Sequence, residues 1–238
     1  LQQIRDLLLD DKTGVIHKAD DVEAIGHRIV HGGEFFHESI LITDEIIEKI
    51  EACNRFAPLH NPHNLTGYRV SAALFPNAPH VAVFDTAFHQ SIPKYAYVYP
   101  LPYAAYEEHH VRRFGFHGTS HRYVSWRAAE MLGRDIREIN TVTCHLGNGC
   151  SITAVKGGKS IDTSMGFTPL EGVPMGTRCG DVDPAAILYL MEQGDMDARC
   201  MDNMLNRKSG LLGVSGVSND MRDIISVSYT HLTLPTKR

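Results

Sequence analysis

The sequence predicts an α/β fold, and three observations carry that expectation. Short β-prone runs of strand length, HVAVF at 80–84 and TVTCHL at 141–146, end in polar or glycine-rich residues. Between such runs stand segments of helical spacing, clearest at 44–53, where Ile46, Ile47 and Ile50 share one face and Glu45, Glu48, Lys49 and Glu51 take the other. Asp85 directly follows the run 80–84, at the strand end where open α/β sheets place their ligands.

Composition narrows the function classes. The 238 residues are 43% hydrophobic and 21% charged, which is ordinary for a globular chain long enough for one large or two modest domains. A net charge of -5 argues against general binding to nucleic acid or anionic membranes, and no apolar run reaches transmembrane length. The start at Leu1, with Arg5, Asp6, Asp10 and Asp11 close by, is not a signal peptide. Five cysteines, at 53, 144, 150, 179 and 200, form no C-x-x-C pair and fit reduced thiols in a cytoplasmic protein.

In chain order, residues 1–9 and 19–25 read as helices, and 27–33 as a buried strand ending in a glycine turn, with Arg28 near its start. Thr43 is placed to cap the amphipathic helix 44–53. Residues 58–64, punctuated by Pro58 and Pro62, read as a loop, and 66–75 as a helix stopped by Pro76. The strand 80–84 follows, with Asp85 the first-choice acid of this half. The competing reading of Asp85 is a turn-forming residue ahead of Thr86 and Ala87.

Residues 91–106 hold three prolines and five tyrosines, so an irregular crossing and a domain boundary are expected there. Next, RRFGFHGTSH at 112–121 leads into a helix to Gly133 capped by Thr119 or Ser120, and such a helix N-terminus favours anions. Helices are expected from Asp183-Pro184 through Met191 and over 196–205. Residues 211–217 read as strand-like, and 218–223 as the start of another turn or helix.

Between these lies the stretch 141–183. Strand 141–146 carries His145 and empties into Gly147, Asn148 and Gly149 before a second alternating run, 150–155, heads back. Glycines at such a tip allow positive φ and a close approach to a ligand, and the exposed N–H groups can cradle an anion. An ordinary type I′ turn reads equally from the same residues. Spacing excludes two other phosphate loops: Ile152 breaks the dinucleotide pattern, and Thr153 stands where a P-loop ahead of Gly158-Lys159-Ser160 needs glycine.

Farther on, MGTRCGD at 175–181 holds Arg178 in a glycine loop, either as a phosphoryl clamp or as a brace to Asp181 or Asp183. Histidines are numerous, at fourteen, yet none forms a convincing metal set. His117 and His121 are four apart but Gly118 separates His117 from the helix, and the pairs His60/His63 and His109/His110 have no preferred ligand geometry.

Six runs in register, GHRIVHGG at 26–33, APLHNP at 57–62, FDTAFH at 84–89, GFHGTSH at 115–121, HLGNG at 145–149 and GTRCGDVDP at 176–184, closely resemble the acetate kinase family over residues 1–224. The resemblance implies two ribonuclease-H-like domains of the actin-like ATPase kind, 1–90 and 91–225, both incomplete here. It implies transfer of the γ-phosphoryl of ATP, with Mg²⁺, to a short carboxylate, in a cytoplasmic homodimer. Arg28 and Arg178 would hold carboxylate and phosphoryl oxygens, His117 would stabilise the transition state with Arg178, and Asp85 would be the active-site acid. His60 would line the site, and Val30, Leu59, Phe116 and Pro169 would form the pocket for the acyl methyl. His145, Leu146, Gly147, Asn148 and Gly149 would contact the ATP phosphates, and Asp220, Met221 and Arg222 the adenosine. No residue is assigned to a metal.

A carboxylate nucleophile is already ionised at pH 7, so Asp85 is expected to orient an arginine or a Mg²⁺-bound water rather than accept a proton. The chain lacks the family's first phosphate loop and its later adenosine segment, so a fragment without either end, inactive as it stands, is expected. Residues 226–238 resemble nothing in the family, and 227–232 back-translate to a sequencing-adapter sequence. Three rival readings are a propionate or butyrate kinase, a non-catalytic nucleotide-binding scaffold and a histidine-based metal-binding protein. The joint presence of Arg28, Asp85, His117 and Arg178 argues against the scaffold.

Overall fold

The computed structural model describes residues 1–58 and 60–228. Helix α1 (Gln2–Leu8) leads the chain, followed by a single 3-10 turn at Ala19–Asp21. The helix expected over 19–25 does not form, because Ile25 already pairs with His80 in a sheet. Strand β1 (Ile25–Ile29) is followed by a glycine turn, where Gly33 takes φ +59°. Strand β2 (Ile40–Leu41) precedes helix α2 (Asp44–Ala52), whose N-cap Thr43 accepts from the Ile46 N–H at 3.4 Å.

Helix α3 spans Asn61–Leu74 and so begins inside the expected loop. The reason is Pro62 in its first turn, where a proline has no helical N–H to lose and arrives with its φ preset. Strand β3 (His80–Phe84) then runs parallel to β1, with Ile25 opposite His80 and Ile29 opposite Phe84, and antiparallel to β2. The sheet order is β1-β3-β2. Ile46 and Ile50 of α2 and Leu65 of α3 pack on its Ile29, Ala82 and Phe84, and Phe36 stacks on Phe84 at 4.1 Å between ring centres. The helical connection between β1 and β3 is what a parallel pairing requires.

A 3-10 turn at Ala87–Ser91 and the single-turn helices α4 (Lys94–Tyr97) and α5 (Ala104–Glu107) cross to the second half. The expected irregular crossing is therefore partly helical. Helix α6 (Gly118–Met131) is capped by His117, whose own φ is +58°, and not by Thr119 or Ser120, which lie in its first turn. A residue with a Cβ in this region is disfavoured by about 1–2 kcal/mol, so the packing around His117 must hold it there.

Strands β4 (Asn140–Leu146), β5 (Cys150–Lys156) and β6 (Lys159–Thr163) form an antiparallel meander in that order. The sequence reading ended this sheet at the second strand. Four helices complete the described chain: α7 (Pro184–Gln193) and α8 (Ala198–Arg207), capped by Asp183 and Asp197, then α9 (Gly210–Ser215) and α10 (Met221–Ser228). The strand-like expectation over 211–217 fails, because the Leu211 and Leu212 N–H groups donate to the Met175 and Gly176 carbonyls while the Gly213 N–H closes a helical turn to Ser209. Helix α10 crosses the expected boundary at 226, and residues 229–238 of the expected foreign tail lie outside the described residues.

The two sheets are tied by polar side chains. His89, fully buried in the turn after β3, bonds Ser160 Oγ of β6 through Nδ1 and the Phe116 carbonyl through Nε2, both at 2.9 Å. The Ser91 hydroxyl donates to the Ser160 carbonyl at 2.8 Å.

Candidate active site

The ends of β1, β3 and β4 and the start of α6 converge on one cleft. Asp85 follows β3 immediately and is 2% exposed. Its two carboxylate oxygens accept from Arg28 of β1, Oδ1 from Nε at 2.9 Å and Oδ2 from Nη2 at 2.6 Å. This bidentate fork fixes the plane of the Arg28 guanidinium although its side chain is 63% exposed. The hydrogen bonds that Arg28 donates to Asp85 raise the Arg28 pKa further, so the cation is permanent. Asp85 is therefore not a turn-forming carboxylate.

The Asp85 carbonyl also accepts from the Gly118 N–H at 2.9 Å. A Cβ on Gly118 would lie 2.3 Å from that oxygen, so only glycine lets α6 start against the end of β3. That contact brings His117 beside Asp85. The His117 ring stacks on His145 of β4 at 4.0 Å, and its Nδ1 meets Ser151 Oγ of β5 at 2.8 Å. Burial, reinforced by His145, pushes the His117 pKa down to about 4, so its imidazole is neutral at pH 7.

Arg178 comes from the loop between β6 and α7. Its Nη1 donates to the Pro169 carbonyl at 3.0 Å, and burial lowers its pKa. Among the described residues it pairs with no carboxylate: Asp181 instead accepts from the Gly172 N–H, and Asp183 caps α7. The loop-brace reading is thus replaced by a cation held free of counter-charge. His60, the N-cap residue of α3, feels both arginines, and burial followed by Arg178 and Arg28 lowers its pKa.

The hairpin tip differs from the sequence expectation in one respect. None of Gly147, Asn148 and Gly149 has positive φ, so the connection is not a type I′ turn and its glycines are not there for backbone freedom. Space is the reason at Gly149. A Cβ there would lie 3.1 Å from Arg178 Nη1, 3.4 Å from His117 Cε1 and 3.5 Å from His117 Nε2, so both side chains border one small space above this glycine. The Asn148 carbonyl accepts from the Gly176 N–H at 3.1 Å, and its side-chain oxygen accepts from Asn219 at 3.1 Å. The tip is thereby held against both the arginine loop and the segment before α10. Leu146, 77% exposed, points to the face opposite His145, so only its backbone borders the cleft.

Val30 and Phe116 meet in a closed apolar cluster with Ala57, Met165 and Met175, on which Cys150 packs. Sequence reading missed Met165 and Met175, both fully buried, because isolated methionines in loops carry no periodic signal. Pro169 is placed by its carbonyl, and Leu59 lies outside the described residues. Asp220 and Arg222 pair with each other at the exposed start of α10, beside the half-exposed Met221, and among the described residues Asn219 bridges this segment to the hairpin.

A sequence model of the acetokinase family matches residues 1–231. The acetate kinase of Halothermothrix orenii is 58% identical over 228 residues, covering 96% of this chain and 57% of that protein. That of Caldanaerobacter subterraneus subsp. tengcongensis is 57% identical over 229 residues with the same coverage. The solved acetate kinase of Porphyromonas gingivalis superposes with a TM-score of 0.92 at 51% identity, over 96% of this chain and 57% of its own. A propionate kinase from Francisella tularensis gives 0.89 at 47% identity, over 97% and 58%. This chain spans a little over half the length of the relatives it matches, and its α/β fold is theirs. With the match running over nearly every described element, including those that bring Arg28, Asp85, His117 and Arg178 together, the chain belongs to the acetokinase family.

Proposed function

We propose that this chain supplies the acyl-binding and phosphoryl-stabilising part of an enzyme that transfers the γ-phosphoryl of ATP to acetate, reversibly. The observation that carries the reading is the convergence of two cations and a neutral histidine beside a closed apolar cluster. A short carboxylate needs its charge met and its methyl buried, and these neighbours offer both.

In this reading the acetate methyl enters against Val30 and Phe116, and its carboxylate lies between Arg28 and Arg178. One carboxylate oxygen attacks the γ-phosphorus, and the bond to the bridging oxygen breaks with its electron pair leaving on ADP. The attacking group is ionised at pH 7 and needs no base. Asp85 is accordingly an orienting group, because both its oxygens already hold Arg28 N–H groups. Arg178 and His117 face the point where charge collects on the transferring oxygens. The backbone of Gly147 to Gly149 borders the same point and is assigned to the ATP phosphates, with Asp220 to Arg222 near the nucleoside.

The family resemblance also implies Mg²⁺. Among the described residues no three His, Cys, Asp or Glu side chains converge as ligands, so these residues by themselves do not make a magnesium site, although each Asp85 oxygen keeps a lone pair beyond its bond from Arg28. No step above runs through the ion. The likeness to a propionate kinase keeps propionate as the second reading, distinguished by acyl-chain preference.

The test is acyl-phosphate formation, trapped as hydroxamate, from ATP, Mg²⁺ and acetate, propionate or butyrate, using this chain beside a chain extended to the length of its relatives. Acetyl hydroxamate from the extended chain supports the reading. ATP binding without any acyl phosphate would overturn it in favour of a scaffold. In the extended chain Asp85→Asn should lower turnover about 10²-fold through a mis-set Arg28. Near-normal turnover would remove that role from Asp85.

A further inference from the structure

Behind His117 runs a chain of buried polar side chains that neither the fold nor the mechanism above has used. Thr143 of β4, Ser151 of β5 and His121 of α6 are 3%, 0% and 1% exposed. Thr143 Oγ1 lies 2.7 Å from His121 Nδ1, His121 Nε2 lies 2.7 Å from Ser151 Oγ, and Ser151 Oγ lies 2.8 Å from His117 Nδ1.

Each hydroxyl has one proton and each neutral imidazole has one N–H, so the chain can run in two directions; a third arrangement, in which Ser151 accepts from both rings, leaves its own buried proton without an acceptor among the described residues. In one, Thr143 donates to His121, His121 to Ser151, and Ser151 to His117 Nδ1. The single N–H of His117 then sits on Nε2. In the other, His117 donates from Nδ1, every bond reverses, and the Thr143 proton must go to the Thr153 carbonyl at 3.5 Å. Normal O–H···O bonds lie between about 2.5 and 3.0 Å, so the reversed chain strands a buried proton, which folded proteins avoid. The first direction bonds every proton along the chain.

We propose that Thr143, His121 and Ser151 form a positioning relay that fixes His117 as the Nε2–H tautomer, keeping its only N–H on the ring nitrogen that borders the space above Gly149 beside Arg178. The proposal rests on the reading that His117 stabilises the transferred phosphoryl group, and it adds the residues that make that possible. A neutral histidine in the other tautomer would present a lone pair to phosphoryl oxygens and repel them. His121 itself is pushed down to about 3 by burial, so both rings of the relay are neutral at pH 7.

The experiment is ¹⁵N imidazole NMR at pH 7 on the extended chain, labelled at histidine, beside kcat and KM for acetate and ATP. The relay requires His117 protonated at Nε2 and bare at Nδ1. Ser151→Ala should give a mixture of tautomers and a kcat lower by roughly 10²-fold, with KM values within about twofold. If that variant does not fold, Thr143→Ser, which keeps the hydroxyl, should retain the Nε2–H form, and the equal-volume Thr143→Val should show mixed protonation. A protonated Nδ1 in the unsubstituted protein, or a Ser151→Ala variant with unchanged tautomer and kcat, overturns the relay. His117→Ala separates the two levels: full turnover in that variant overturns the role given to His117 itself, whereas lost turnover there together with an Nδ1–H ring in the unsubstituted protein overturns only the relay.

Discussion

Gly149 sits where a methyl group would fill the space faced by Arg178 and His117. Its backbone has no positive φ, so alanine is tolerated conformationally and the effect of Gly149→Ala is confined to the cleft. The expected outcome in the extended chain is a loss of turnover of about 10²-fold with the unfolding midpoint nearly unchanged, read by hydroxamate assay and thermal melt. Val30 acts on selectivity instead. It is buried in the apolar cluster with Phe116, and Val30→Ala enlarges the space for a longer acyl chain. The ratio of kcat/KM for propionate over acetate should rise about 10-fold, in line with the roughly 1–3 kcal/mol that one methylene is worth. An unchanged ratio would place the acyl group elsewhere.

At the scale of elements, α2 anchors the first sheet because its two buried isoleucines, Ile46 and Ile50, reach the core while its cap closes the first turn. The Thr43 cap bond is long at 3.4 Å, so Thr43→Ala should lower stability by about 0.5–1 kcal/mol, at the lower end for caps. Urea titration measures this directly, and a larger loss would mean that Thr43 does more than cap. This element was legible in the sequence because capping and amphipathic spacing are local. The start of α3 and the nature of α9 were not. For α3 the local signal is ambiguous, since Pro62 fits a loop and a first helical turn alike, and for α9 the Leu211 and Leu212 N–H partners are carbonyls 36 residues earlier in the chain, at Met175 and Gly176.

For the molecule as a whole, acid should be the chief threat. Burial lowers six histidine pKa values from an ordinary 6.5, those of His31 and His121 to about 3, those of His89 and His117 to about 4, and those of His27 and His60 as well. Between about pH 6.5 and 4 the unfolded chain binds protons at these rings that the folded chain refuses. Stability is therefore complete above pH 6.5 and is lost as pH falls, by up to about 1.4 kcal/mol per pH unit for each of the first four histidines. Urea midpoints at pH 7, 6 and 5 should decline steadily, and a flat profile would show that these rings titrate normally in the fold. A second global feature is the outer face of β4, where Val142 is 70% and Leu146 77% exposed. Uncovered apolar side chains on an edge strand favour self-association of the 238-residue chain.

The sequence by itself determined the α/β class, α2, β3, the β4–β5 hairpin and, through six runs of residues, the family and the names of the cleft residues. These follow from local spacing, from proline and glycine chemistry, and from short motifs. Only the tertiary structure decided what those residues do to one another. The run 141–146 reads as apolar, yet its alternation turns Thr143 and His145 inward and Val142 and Leu146 outward, a choice of face made by α6 packing across the sheet. The Arg28–Asp85 fork spans 57 residues and the His117–Ser151 bond 34, and no local rule fixes a distance across such gaps. Gly149 likewise reads as a turn glycine until Arg178 is brought over it, because steric room at a point is set by whatever the folded chain places there.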